Sequence, residues 1–322
     1  MTLDWCDAHL DLAWLAVRGW DLAAAPPDGF AISLESLRDG NVRWVFGTVF
    51  TGPGFDREGG YPRGDIEAAR EQALMQLEVY PRLEDAGLIR IVRTKADLDA
   101  DVGLRVVLLM EGADPIRDPS DVAWWYAQGV RAVGLSWWSG TRFAGGNGVH
   151  GPLTAPGREM VAALDEAGIV HDLSHLADES AHELLELARG PVIASHSNAR
   201  ALMDGEDQRH LSDELIRAIG DRDGVIGLNL FNRFLVGGER RATVDEAIAH
   251  VEHVASVGGR RSIVGLGSDA DGGFGTEGLP EGIGGPSDYS VLSDALSARG
   301  WSSDEVRGFA NENWLRVLRE AL

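Results

Sequence analysis

The chain has one cysteine, Cys6, in 322 residues, so no disulfide can close within it and no cysteine-rich zinc site is available. Lysine is as scarce. Lys95 stands alone, and 29 basic residues face 51 acidic ones for a net charge of −22. Such a surface repels phosphate backbones and anionic membranes, which argues against nucleic acid and lipid as partners. Long apolar runs are missing too: none approaches the about 18 residues that a membrane-spanning helix needs. Asp4 and Asp7 stand where a secretory signal would carry a basic and then an apolar stretch. A cytoplasmic location is therefore expected. No internal repeat, low-complexity tract or linker interrupts the chain, so a single domain over residues 1–322 is expected as well.

Short runs rich in Val, Ile and Leu, apolar on both faces, are what the chain does have. They cover Asp4–Leu10, Val42–Phe50, Arg105–Glu111, Val130–Trp137, Ile169–Ser174, Pro191–His196, Gly224–Phe231 and Ser262–Asp269. Strands of this kind are covered by helices on both sides. Helical spacing fills the gaps, over Asp65–Glu84, Gly157–Ala167, Asp178–Ala188, Asp213–Ile219 and Thr243–Val257, where Thr243 and Glu246 form a capping box. Eight strands alternating with helices predict a (β/α)₈ barrel. A ninth run, Leu88–Arg93, and a long connection from Asp11 to Val42 are local additions to that plan.

Acid, base and ligand residues recur where these runs end. His9 and Asp11 are two apart, which on a strand puts imidazole and carboxylate on one face, a donor pair suited to zinc or a similar ion. Glu111 closes the run Val106–Met110, and its two oxygens can bridge two cations. His175 and His196 end successive strands, which lie about 4.8 Å apart in a parallel sheet, close enough to share an ion. Asp269 ends the last strand and is placed to move protons. Each residue has a plainer reading: a core histidine, a rim carboxylate, a loop cap. Their joint recurrence at the carboxyl ends of strands, where such barrels build active sites, favours a two-metal centre.

The same segments carry a close resemblance. Asp7-Ala8-His9-Leu10-Asp11-Leu12-Ala13-Trp14, Met110-Glu111-Gly112, Gly151-Pro152-Leu153-Thr154 and Gly168–His175 resemble, in order, motifs of the membrane (renal) dipeptidase family of binuclear zinc peptidases. Ser195–Arg200, Gly265–Gly272 and Asn311–Val317 continue the match, which covers nearly the whole chain. The resemblance implies an amidohydrolase-like barrel that splits dipeptides, or related amides with a free carboxylate, by a metal-bridging hydroxide. It assigns His9 and Asp11 to one zinc, His175 and His196 to the other, and Glu111 to the bridge. Asp269 becomes the acid/base and Arg209 the grip on the substrate carboxylate. It also implies a homodimer, by analogy alone.

Three positions depart from the family. His210 stands where an asparagine is common, and the spacing from His196 to Arg209 beside it is slightly longer than usual. Trp137 stands where the family has a histidine facing the reacting carbonyl, and an indole N–H donates one hydrogen bond without charge. Arg142, Arg233 and His150, on loops of the same rim, are the candidates to replace it, and each taken alone has the plainer reading of a loop residue. His171 replaces an aliphatic residue; it shares strand parity with His175 and reads as a core or supporting histidine. Trp137 keeps two alternatives open: an amidohydrolase on N-acyl amino acids or lactones, and a non-catalytic small-molecule binder. The pattern Gly273-Phe274-Gly275-Thr276-Glu277-Gly278 fits a dinucleotide fingerprint, but Pro280 and Pro286 follow in place of a helix, so it reads as a mobile loop beside the site.

Overall fold

Eight parallel strands close on themselves: β1 (Trp5–Leu10), β2 (Val42–Phe50), β3 (Leu104–Glu111), β4 (Val130–Gly134), β5 (Val170–Asp172), β6 (Val192–Ala194), β7 (Val225–Leu228) and β8 (Val264–Leu266). The structure is a computed structural model, and it describes residues 3–101, 103–203, 205, 207–238 and 240–322. Each strand pairs with its chain neighbours, and β8 returns to β1 with Asp7 opposite Leu266, so no edge is left in the ring. The register of β2 on β3 runs from Trp44 opposite Arg105 to Phe50 opposite Glu111, which sets Glu111 at the carboxyl end of the barrel. Ile89–Ile91, the ninth run, pairs with Leu104–Val106 at the opposite end of β3, below the start of β4.

Why these runs form strands is visible in their two faces. Val107 and Leu109 join Cys6, Ala8, Phe46, Val170, Ile193 and Val225 in the cluster that fills the barrel, while Val106, Leu108 and Met110 pack on the helices outside. Trp314, from the closing helix Asn313–Ala321, enters the base of that cluster, lies 5.5 Å from Phe46 and donates its Nε1–H to the carbonyl of Leu266 at 3.0 Å. Helices Ala155–Ala167, Asp178–Leu187, Asp213–Asp221 and Val244–Val257 lie close to their predicted bounds, and the Thr243–Glu246 capping box forms. The predicted helix over Asp65–Glu84 is two, Ile66–Leu77 and Val79–Asp85. Pro81 explains the break: it has no N–H for the previous turn and suits the first turn of a new helix. The long connection after Asp11 holds two short helices, Leu12–Val17 and Leu34–Asp39. No helix among the described residues is long and apolar enough to cross a membrane.

Candidate metal centre

The strands are shorter than their apolar runs, and the chemistry lies just past their ends. A bulge in β1 between Asp7 and Leu10 re-aims His9, and Asp11 follows as the cap of helix Leu12–Val17. Glu111 is the last residue of β3, and Gly112 beside it has φ +87°. A Cβ at Gly112 would also overlap the Thr51 carbonyl, so only glycine fits this turn. His175 and Asp269 both turn in the left-handed region, φ +67° and +60°, which His and Asp tolerate better than most residues.

Six of the expected side chains meet in one cavity of about 380 Å³ at the carboxyl end: His9, Asp11, Glu111, His175, His196 and Asp269. Glu111 lies between the histidines. Its Oε1 is 3.2 Å from His175 Nε2 and 3.5 Å from His196 Nε2, and its Oε2 is 3.6 Å from His9 Nε2. Asp11 Oδ1 and Asp269 Oδ1 lie 3.8 and 4.0 Å from the same His9 nitrogen. Burial, with the Arg209 charge nearby, pushes the His9 pKa down to about 3, and burial likewise lowers His175 and His196, so all three rings are neutral, as ligands must be. Burial and the neighbouring Asp11 push Asp269 up to about 7, and burial raises Glu111 well above the carboxylate range.

The donor set fits cations. His175 Nδ1 lies 2.8 Å from Asn147 Oδ1, which only accepts, so Nδ1 carries the hydrogen and Nε2 a lone pair. Ser195 gives its hydroxyl hydrogen to Asp172 Oδ2 at 2.5 Å and so accepts from His196 Nδ1 at 2.7 Å, leaving a lone pair on His196 Nε2 too. The two Nε2 atoms face each other at 3.0 Å. Two lone pairs at that distance repel unless a positive ion lies against both. Glu111 Oε1, beside them, is buried without a hydrogen-bond partner, the position of an atom awaiting a cation.

Several of these supports were not predicted. Thr48 donates to Asp11 Oδ1, and Asn229 Nδ2 donates to Asp269 Oδ2 at 2.9 Å. Both are polar residues within apolar strand runs, a signal the sequence did carry; Asn147, in a loop, gave none. Trp137 lines the cavity as expected, and so do six further aromatic side chains, with Asp56 and Arg57 at the mouth.

Two expectations are corrected, and one residue sits deeper than expected. Arg142 is bound to the Ile116 carbonyl and lies 3.5 Å from Asp114, His150 Nε2 lies 3.0 Å from the Asn147 carbonyl, and Arg233 is exposed; none of them lines the cavity. Arg209, the expected grip on the substrate carboxylate, does not itself line the cavity. It is buried behind the wall, donating to the His196 carbonyl at 2.8 Å and Ser197 Oγ at 3.2 Å, under the ring of Phe234. His171 does not share a face with His175, because β5 ends at Asp172 and the turn breaks the alternation. It points out of the barrel to Asp165, 2.9 Å away, as a core histidine.

Comparison with known proteins agrees with this geometry. A model of the family described as membrane dipeptidase, peptidase family M19, matches residues 2–322. An uncharacterized dipeptidase of Schizosaccharomyces pombe is 28% identical over 302 residues, covering 88% of this chain and 71% of its own. The crystal structure of a metallopeptidase dipeptidase of family M19 superposes with a TM-score of 0.87 at 26% identity, covering 100% of this chain and 99% of that one. A metallopeptidase from Rhodobacter sphaeroides, solved with a phosphinate mimic of the dipeptide L-Ala-D-Ala, gives a TM-score of 0.89 at 24% identity and covers 100% of both chains. The match of the family over nearly the full length, on a barrel whose candidate ligand residues meet in one cavity, makes this chain a metallohydrolase of the membrane dipeptidase family.

Proposed function

We propose that this protein is a dipeptidase working with two divalent ions, zinc in the first instance, on dipeptides or related amides with a free carboxylate. The observation that carries the reading is the pair of imidazole lone pairs facing each other at 3.0 Å beside an unpartnered Glu111 oxygen. His9, Asp11 and Glu111 Oε2 would hold one ion; His175, His196 and Glu111 Oε1 the other. Bound ions supply Lewis acidity and a water that ionises near pH 7, from about 15.7 in bulk.

The chain's own groups do the rest. Asp269, anchored through Oδ2 by Asn229, keeps Oδ1 free to take a proton from the attacking water and deliver it to the leaving amine. Arg209 has Nη1 and Nη2 engaged and its Nε buried without a partner, the donor left for a substrate carboxylate once Phe234 shifts. Trp137 offers one neutral N–H where the family has a histidine, so simple L,L-dipeptides should be slow substrates. The dipeptide mimic bound by the Rhodobacter protein is in keeping with a dipeptide-sized ligand.

A second reading, an amidohydrolase acting on N-acyl amino acids or lactones, is favoured by Trp137 alone. Metal analysis with a panel of dipeptides, N-acyl amino acids and lactones separates the two. Turnover confined to the acyl amino acids or lactones would replace the first reading. Metal-loaded protein that binds members of the panel and turns over none would be a binder.

A further inference from the structure

Outside the polar cluster the cavity wall is aromatic, and its rings form two groups. Trp137 lies with its centroid 6.2 Å from the His175 ring and is met edge-on by Phe50 and Phe55 at 5.0 and 5.3 Å. Phe231 stacks on Phe274 at 4.4 Å and 22°, and meets Phe234 edge-on at 5.0 Å. The first group follows the ends of β2 and β4, the strands that flank β3; the second follows β7 and β8. In an eight-stranded ring β7 lies opposite β3, so the two groups face each other across the mouth with the polar cluster between them. Among the described residues, the only charged side chains lining the cavity apart from that cluster are Asp56 and Arg57, both exposed. Both follow Phe55 in the loop after β2 and neither belongs to the second wall. A charged substrate side chain laid on the rings would give up water for at most a weak contact with a ring face or with one of those two water-exposed groups, whereas a flat apolar one would gain ring contacts on either side.

We infer that the site selects dipeptides with an aromatic or bulky apolar side chain on both residues. The N-terminal residue's side chain lies against the Trp137–Phe55 wall and the C-terminal residue's against the Phe231–Phe274 wall. This rests on the dipeptidase reading, and the orientation follows from Arg209, whose guanidinium lies 4.8 Å from the Phe234 ring, on the second side.

The test uses zinc-loaded protein and kcat/KM for Phe-Phe, Phe-Ala, Ala-Phe, Gly-Gly, Asp-Ala and Ala-Lys. Phe-Phe should exceed Gly-Gly and both charged dipeptides by about tenfold or more, the scale on which apolar pockets discriminate. Phe55→Ala should lower the ratio of Phe-Ala to Ala-Phe about fivefold, and Phe274→Ala should raise it about fivefold, what a single aromatic pair contributes. A ratio distinguishes the walls even if a variant loses some folded protein, because that loss cancels. Gly-Gly or Asp-Ala cleaved as fast as Phe-Phe would overturn the inference and leave the dipeptidase reading standing. Ratios that stay fixed, or move in the reverse directions, would overturn the assignment of the walls. Metal-loaded protein that cleaves no dipeptide would refute the dipeptidase reading and this inference together.

Discussion

Asp269→Asn isolates proton transfer from metal binding. Asn is nearly the same size and accepts φ +60° as readily as Asp, so the turn after β8 should survive. Its amide oxygen can accept the hydrogen bond from Asn229 that Asp269 Oδ2 accepts at 2.9 Å. The NH₂ group then faces the cluster and can take up no proton. Loss of a positioned general acid–base costs about 10²–10⁴ in rate, or about 3–5 kcal/mol of barrier. Metal content, measured by atomic emission after gel filtration, should stay at two ions per chain while kcat falls by that factor and KM changes little. The refuting result is concrete, because Asp269 Oδ1 lies 4.0 Å from His9 Nε2, and His9, Asp11 and Asp269 together form a group tight enough to hold an ion. If the variant comes out with one ion per chain, Asp269 is a ligand and its acid–base role falls.

Other substitutions probe the supports. His175→Ala and His196→Ala should each deplete one ion without unfolding the barrel, and Asn147→Ala, which frees His175 Nδ1, should weaken zinc binding by about 10–100-fold; competition with a chromophoric chelator reads both, and an unchanged affinity for Asn147→Ala would show that its hydrogen bond does not tune the site. The unmodified protein should turn over simple L,L-dipeptides below about 10 s⁻¹, and Trp137→His should raise that rate while lowering the melting temperature, since the indole packs on Phe50, Phe55 and Gly52; a wild-type rate above that mark would end the argument that Trp137 redirects substrate choice. Burial alone would raise the Asp165 pKa, but hydrogen bonds from His171 and the Arg189 and Gly190 amides outweigh it and hold the group down to about 2. A depressed pKa stabilises the fold above the unfolded value of about 3.9, and that stability is lost as pH falls from there toward 2; Asp165→Asn should cost on the order of 2 kcal/mol at neutral pH and flatten the urea-midpoint profile in that window, and a profile as steep as the parent's would refute the assignment.

The barrel and the gathering of the candidate ligands at one end of it were legible because both rest on patterns that burial imposes. An apolar run covered on both sides has no use for His9, Glu111 or His196 unless something beyond the strand does. What the sequence could not convey is where hydrogen bonding stops. β5 holds only Val170–Asp172, so alternation says nothing about His175, and extrapolating it put His171 on the wrong side of the sheet. Loop residues were harder still. Asn147, Phe55 and Phe274 owe their places to the course of backbone between strands, which no periodicity records, and the burial of Arg209 was hidden because its neighbours in sequence are polar. Pro81 marks the helix break in the sequence, but the buried stripe of Ala69, Ala73, Leu77 and Tyr80 continues across it and reads as one helix.

The short strand Ile89–Ile91 pairs with the start of β3, and the helix Lys95–Leu98 that follows it carries the chain's sole lysine on an exposed turn. Glu111 lies seven residues along β3 from Leu104, which at about 3.3 Å per residue puts roughly 20 Å of barrel between that turn and the cavity mouth. Amine-reactive coupling therefore has one side chain to find, on the floor of the molecule. Tethered through Lys95, each copy would stand with its mouth toward solution, and a surface coated this way would present its sites in a common direction.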